Sequence, residues 1–188
     1  GTDAVHQGAV ADVAPLDPPS LRDVIERAIA SRRSLVVLDQ VTDPHNVGAV
    51  LRSAAVFGAE AIVTTVRHSP PLGPILAKSA SGALDLVPVC LVQNLGRALG
   101  EIREAGIAAV GLDGDAETTL DAHAFETATA IVLGAEGKGL RQSTREACDV
   151  LCAVTTDGPI RSLNVSNAAA IALHLAALAR KRATASDG

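Results

Sequence analysis

SLVVLDQVTDPHNVGAVLRSAAVFG, residues 34–58, reads as a strand, a polar loop and a helix in that order. Leu35-Val36-Val37-Leu38 is a continuous apolar run, the pattern of a strand covered on both faces rather than half-exposed. Asp39 to His45 is polar and holds Pro44, so the run ends in a loop. Asn46 to Phe57 then places Val47, Val50, Leu51, Ala54 and Ala55 at helical spacing, with Gly58 as the stop. A doubly covered strand followed by an amphipathic helix is the opening unit of a parallel α/β sheet.

The same alternation continues downstream. Strands are predicted at Ala61 to Val66, Leu84 to Val92, Ile107 to Leu112, Ala130 to Leu133 and Val150 to Val154. Helices are predicted at Leu95 to Ala105, Leu140 to Ala147 and Leu163 to Arg182, and the prolines of His68 to Pro74 mark a loop. Thr184 to Gly188 is expected as a disordered tail. The fold class is α/β, a parallel sheet with helices on both faces. Upstream, His6 to Val13 is a short extended candidate, and Ser20 caps a helix from Leu21 to Ser31 with Val24, Ile25, Ala28 and Ile29 inward. The chain is expected to divide into a lead-in at 1–33 and a main domain at 34–188.

Composition narrows the function classes. With 188 residues, 48% apolar and 20% charged, the chain has the stock of a globular domain with a real core. No apolar run reaches the roughly 18 residues of a membrane span and no signal peptide opens the sequence, so a cytoplasmic protein is expected. The absence of methionine leads to the expectation of sequence upstream of Gly1. Phe57 and Phe125 are the whole aromatic complement, which excludes modules that stack single-stranded bases on aromatic platforms. A net charge of −5 argues against non-specific coating of nucleic acid but leaves room for a local basic site among Arg52, Arg141, Arg145 and Arg161. Cys90, Cys148 and Cys152 read as buried reduced thiols, and no spacing suggests zinc.

In open parallel sheets ligands bind beyond the carboxyl ends of the strands, and three loops stand out there. Gly134-Ala-Glu-Gly-Lys-Gly139 joins a strand to a helix, where free amides can receive a ligand. It is no phosphate-binding P-loop, because Val132 replaces the first glycine and Gly139 the Ser or Thr after the lysine. Glu136 among three glycines has no obvious structural purpose. Thr155 to Asn167 bends at Gly158-Pro159, and either Ser162 or Asn164 caps the last helix. Capping does not account for Ser162, Asn164, Ser166 and Asn167 together, so this loop is expected to bind something. In the first loop, His45 and Arg52 are seven apart on one helical face, flanking Gly48 and Ala49 as an open shelf suited to a phosphate or ribose.

Together these stretches resemble the SpoU/TrmH family of SPOUT RNA 2′-O-methyltransferases. The resemblance rests on Asp43-Pro-His-Asn-Val-Gly48 through Arg52-Ser-Ala54, Leu133-Gly-Ala-Glu-Gly-Lys-Gly-Leu140, and Ser162-Leu-Asn-Val-Ser166. Lys78-Ser-Ala-Ser-Gly-Ala83 is similar to a further family stretch, and the likeness runs from about Leu35 to the end of the final helix. Within the family, the chain is more similar to the branch acting on a guanosine ribose of 23S rRNA. His6-Gln7-Gly8 resembles the linker after that branch's small amino-terminal RNA-binding domain.

The resemblance implies a deep C-terminal trefoil knot, which topology rules alone would not suggest. It also implies S-adenosylmethionine as cofactor, no metal, RNA as partner and a homodimer whose sites use both subunits. Cofactor contacts are implied at Gly134, Gly139, Val154 and Leu163, and catalytic roles at Arg52, Asn46, Glu136, Ser162 and Asn164. Val154-Thr155 departs from the family's Ile-Pro, so this loop is expected to be looser. A guanidinium resists deprotonation, so Arg52 is read as a phosphate clamp that stabilises developing alkoxide charge, with Glu136 as its ion partner. Without an RNA-capturing domain, this stretch is expected to bind cofactor and dimerise but to methylate rRNA poorly. The alternatives are a tRNA ribose methyltransferase, a resistance-type rRNA methylase, and a catalytically inactive RNA-binding or ribosome-assembly module; a nucleotide hydrolase fits less well.

Overall fold

The computed structural model describes residues 16–120, 125, 127–159 and 162–186. The extended candidate His6 to Val13, the His6-Gln7-Gly8 stretch and Arg161 lie outside them.

The elements run α1 (Leu21–Ser31), β1 (Leu35–Asp39), α2 (Pro44–Phe57), β2 (Ala61–Thr65), α3 (Pro74–Ala80) and β3 (Val89–Val92) in the first half. Then come α4 (Leu95–Glu104), β4 (Ala108–Leu112), β5 (Thr118–Thr119), β6 (Thr129–Gly134), α5 (Gln142–Ala147), β7 (Val150–Ala153) and α6 (Val165–Ser186). One sheet of seven strands has the order β3-β2-β1-β6-β4-β7-β5, and every pairing in it is parallel. This is the expected architecture.

Alternation along each strand divides the core. Val36 and Leu38 face α2, α3 and α6, packing with Val50, Leu51, Leu76 and Leu173. Leu35 and Val37 face α1 and α4, packing with Val24, Ala28, Leu99 and Ile102. Each large side chain fully buried this way contributes about 1.5–3 kcal/mol. Helix α1, read as part of a lead-in, thus buries Val24, Ile25 and Ala28 on the main sheet, and Ser20 caps it by accepting from the Asp23 amide. Ile29, expected inward, is 47% exposed.

Several boundaries differ from the sequence reading. Helix α2 begins two residues earlier than Asn46, because Asp43 caps it and Pro44 occupies the first turn, where a missing N–H costs nothing. Helix α3 was hidden by the prolines of the predicted loop; Pro74 starts it in the same way. Leu84 to Val92 is not one strand. Ala83–Asp85 forms a 3₁₀ turn, Pro88 has no N–H to lend a ladder, and pairing starts at Val89. The two-residue β5 is too short to show a period. Helix α6 starts at Val165 rather than Leu163 and continues through Ser186, so much of the expected tail is helical.

The shelf at Gly48 is also not open. A Cβ there would lie 2.4 Å from the Ser79 Oγ, so the missing side chain admits α3 rather than a ligand. Ser79 Oγ donates to the His45 carbonyl at 3.4 Å, fastening α3 to the first turn of α2. No helix among the described residues is long and apolar enough to cross a membrane. None of the three cysteines is in a disulfide; Cys90 and Cys152 are buried and Cys148 is half-buried.

Candidate active site

The carboxyl ends of β1, β6, β4 and β7 gather the loops singled out above. Strand β6 ends at Gly134, in register with Asp39 of β1. The glycine loop turns back at once: Gly139 N donates to the Ala135 carbonyl at 2.8 Å, forming an isolated bridge. A Cβ on Gly134 would lie 2.1 Å from the Gly139 carbonyl carbon, so only glycine fits there, and Gly139 itself has φ +64°. Arg141 closes the loop. Its backbone N donates to Asp39 Oδ2 at 3.0 Å and its Nε to Oδ1 at 2.7 Å, and the Asp39 side chain is wholly buried. Charge-assisted bonds to both oxygens fix where the loop ends. Nothing in the local sequence announces this pair, whose members are 102 residues apart.

Between the loops lies a cavity of about 340 Å³. Gly134, Gly139, Val154 and Leu163 all line it, as do Glu136 and Ser162. Its walls also hold Asp113 and Asp115, which sequence reasoning missed, together with Lys138, read only as part of the glycine loop, and Arg145, read only as part of a basic site. Asp113 and Arg145 form an ion pair there. A carboxylate just past a strand end is the one signal that could have pointed to Asp113. Leu112, Leu133, Val154, Val165 and Ala168 supply the apolar surface.

At the rim, Asn164 gathers the three motifs. It is the residue that caps α6: its Oδ1 accepts from Ser166 N at 2.8 Å and from Ser166 Oγ at 2.5 Å. Its Nδ2 donates to Asn46 Oδ1 at 3.0 Å and also to Glu136 Oε1. Asn46, Glu136, Asn164 and Ser166 therefore form one polar cluster from α2, the glycine loop and the start of α6.

Arg52 stands apart from this cluster. It is exposed on α2, does not line the cavity and makes no ion pair with Glu136. The expected Arg52–Glu136 pair is replaced by Asn164–Glu136. Arg52 lies six residues beyond Asn46, roughly 9 Å up the helix at 1.5 Å per residue, and on a different face.

A profile of the SpoU rRNA Methylase family matches residues 33–174, about three quarters of the chain. The chain belongs to the SpoU rRNA methylase family. Among relatives, it is 41% identical over 174 residues to the 23S rRNA (guanosine-2′-O-)-methyltransferase RlmB of Pseudomonas syringae pv. tomato, covering 91% of this chain and 69% of the relative. It is 45% identical over 169 residues to the RlmB of Nitrosomonas europaea, covering 89% and 65%. The chain thus spans about two thirds of the length of these curated relatives. Among solved structures, the SpoU methyltransferase AviRb from Streptomyces viridochromogenes, in complex with the cofactor AdoMet, superposes with a TM-score of 0.70 at 30% identity. That match covers 79% of this chain and 57% of AviRb. In this SpoU chain, all three motifs converge on one strand-end cavity and its rim.

Proposed function

We propose that this SpoU family chain transfers a methyl group from S-adenosylmethionine to a ribose 2′-hydroxyl of RNA, at a guanosine of 23S rRNA. The observation that carries the reading is the cavity itself, walled by the glycine loop and adjoining the Asn164–Glu136–Asn46 cluster. Its volume falls in the range of small-molecule sites, roughly 300–1,000 Å³, and its lining joins an apolar surface to a few charges. Three carboxylates, Asp113, Asp115 and Glu136, face two cations, Lys138 and Arg145, in that lining. The single negative excess suits a ligand of net charge +1, which adenosylmethionine is, and disfavours a nucleoside triphosphate. The RNA target rests on the names of the relatives.

When bound, adenosylmethionine supplies an electrophilic methyl group on its sulfonium. Gly134, Gly139, Val154 and Leu163 hold it, largely through backbone and apolar contact. Asn46, Glu136, Ser162 and Asn164 orient the ribose, and Glu136 is placed to receive the hydroxyl proton through water. Arg52 binds a phosphate of the RNA and stabilises the developing alkoxide as a fixed cation. Because Arg52 lies off its own chain's cavity, it serves the cavity of a second copy, in a homodimer with shared sites. The last segment is threaded as a knot, and the enzyme works in the cytoplasm.

Calorimetric titration with S-adenosylmethionine and, separately, ATP tests the cofactor. Saturable binding of the former alone, at about one per chain, is expected. Binding of ATP alone, or of neither, overturns the reading. Methyl transfer from labelled cofactor to a 23S rRNA transcript, with tRNA as the competing substrate, tests the target; incorporation into tRNA alone overturns the rRNA assignment.

A further inference from the structure

Resting on that cofactor reading, we propose that Asp113 anchors the ribose diol of the adenosyl group and so determines which adenosyl ligands the cavity accepts. Asp113 follows β4 directly and lines the cavity, yet its side chain is only 9% exposed. Its backbone N donates to the Cys152 carbonyl at 2.9 Å and its carbonyl accepts from Ala116 N at 3.2 Å. Its Oδ1 accepts from Asp115 N at 3.0 Å, and its Oδ2 pairs with Arg145 Nη1.

A carboxylate oxygen can accept two hydrogen bonds, and among the described residues each oxygen of Asp113 has one partner, which leaves it a second acceptor position. Two free acceptors about 2.2 Å apart on one rigid carboxylate suit two neighbouring hydroxyl groups, as an acid past a strand end does for ribose in dinucleotide sites. Arg145, paired with Oδ2, fixes the orientation of the carboxylate; it is a positioning residue. Lys138 in the glycine loop suits the ligand's carboxylate, while Glu136 stays with Asn164 in the polar cluster. At the β4 end Asp115 is exposed, and Asp113 is the lining carboxylate that an ion pair holds in one orientation.

The test is calorimetry with S-adenosylhomocysteine, its 2′-deoxy analogue and its 3′-deoxy analogue, on the wild-type chain and on Asp113→Ala and Asp113→Asn. The wild type is expected to bind the parent ligand roughly tenfold or more tightly than either analogue. In Asp113→Ala the discrimination should fall to within about twofold. A purely structural role for Asp113 would weaken all three ligands equally and leave the ratio intact, which overturns the proposal. Asp113→Asn keeps the shape of the side chain and one acceptor, and should lose most of the discrimination against one of the two analogues. If Asp113→Ala does not fold, full retention of both ratios in Asp113→Asn overturns the proposal. A wild type that binds the parent without discriminating overturns this assignment alone. A wild type that binds none of the three overturns the cofactor reading with it.

Discussion

The two halves of the sheet are built by different means. Strands β1 and β2 are buried at every residue, and the α2–α3 face over them is held by close apolar packing and the Gly48–Ser79 approach. Strands β4 and β7 are only partly buried, and Asp113–Arg145 and Arg103–Asp149 tie the segments beside them, while Asp39–Arg141 ties the end of β1 to the same side. Apolar packing fills the space between α2, α3 and the sheet, and the cavity beside β3, at Leu84, Pro88 and Val89, is only about 130 Å³. Directional charge pairs hold loops apart at fixed positions, and the strand-end cavity lies among them. On the proposed reading, binding belongs to the ionic half, while the apolar half contributes Asn46 and Arg52 from α2.

The sharpest way to test that division is Arg52→Ala. Turnover should fall about a thousandfold, as when one donor to a developing oxyanion is removed, with adenosylmethionine affinity unchanged. Loss of affinity as well would erase the distinction between the halves. Next in size, Leu51→Ala removes a wholly buried side chain from the apolar half. Stability should drop by about 3 kcal/mol in urea denaturation, with the cofactor affinity of the remaining folded chain unchanged. Gly134→Ala is the counterpart in the ionic half. Overpacking at this site should cost about 1–3 kcal/mol and lower cofactor affinity more than tenfold, because the loop has to move. If sites are shared between copies, a mixture of Arg52→Ala and Gly134→Ala chains should regain activity that neither has alone.

The smallest effect concerns thiols. Burial pushes the Cys90 thiol up to about 11, with Asp23 adding to the shift, and burial does the same to Cys148, aided by Asp149. A thiol that keeps its proton in the fold stabilises the fold fully below its unfolded value near 9, and that contribution is lost as the pH rises towards 11. Melting temperature should therefore decline modestly across that interval. In Ellman titration at pH 8, half-buried Cys148 should react before buried Cys90, the more loosely covered half opening first.

The division also explains what the sequence made legible. Leu35 to Leu38 and the helix after it were readable because apolar runs and caps are local signals. Helix α3 was not, because Pro74 is both a loop residue and a good first residue of a helix. The sheet order, which inserts β6 between β1 and β4, depends on contacts far apart in the chain and has no local mark. The site was legible where its residues sit in motifs, as with Asn46, Glu136 and Asn164. Arg145 was noted for its charge alone, and Asp113 and Asp39 were missed, because a single carboxylate after a strand gains its meaning only from the arginine brought to it by folding. The expected Arg52–Glu136 pair failed for the same reason: Asn164 reaches Glu136 instead.

Asn164 sits 118 residues after Asn46 and 28 after Glu136 and begins the last helix of the described chain. On a ribosome, the residues that line most of the cavity emerge well before the one that ties its rim together. A chain released early would carry its glycine loop and Arg52 but no cap for α6 and no link between the loops. The polar cluster therefore joins segments made far apart in time, and it cannot form until the chain has reached Asn164.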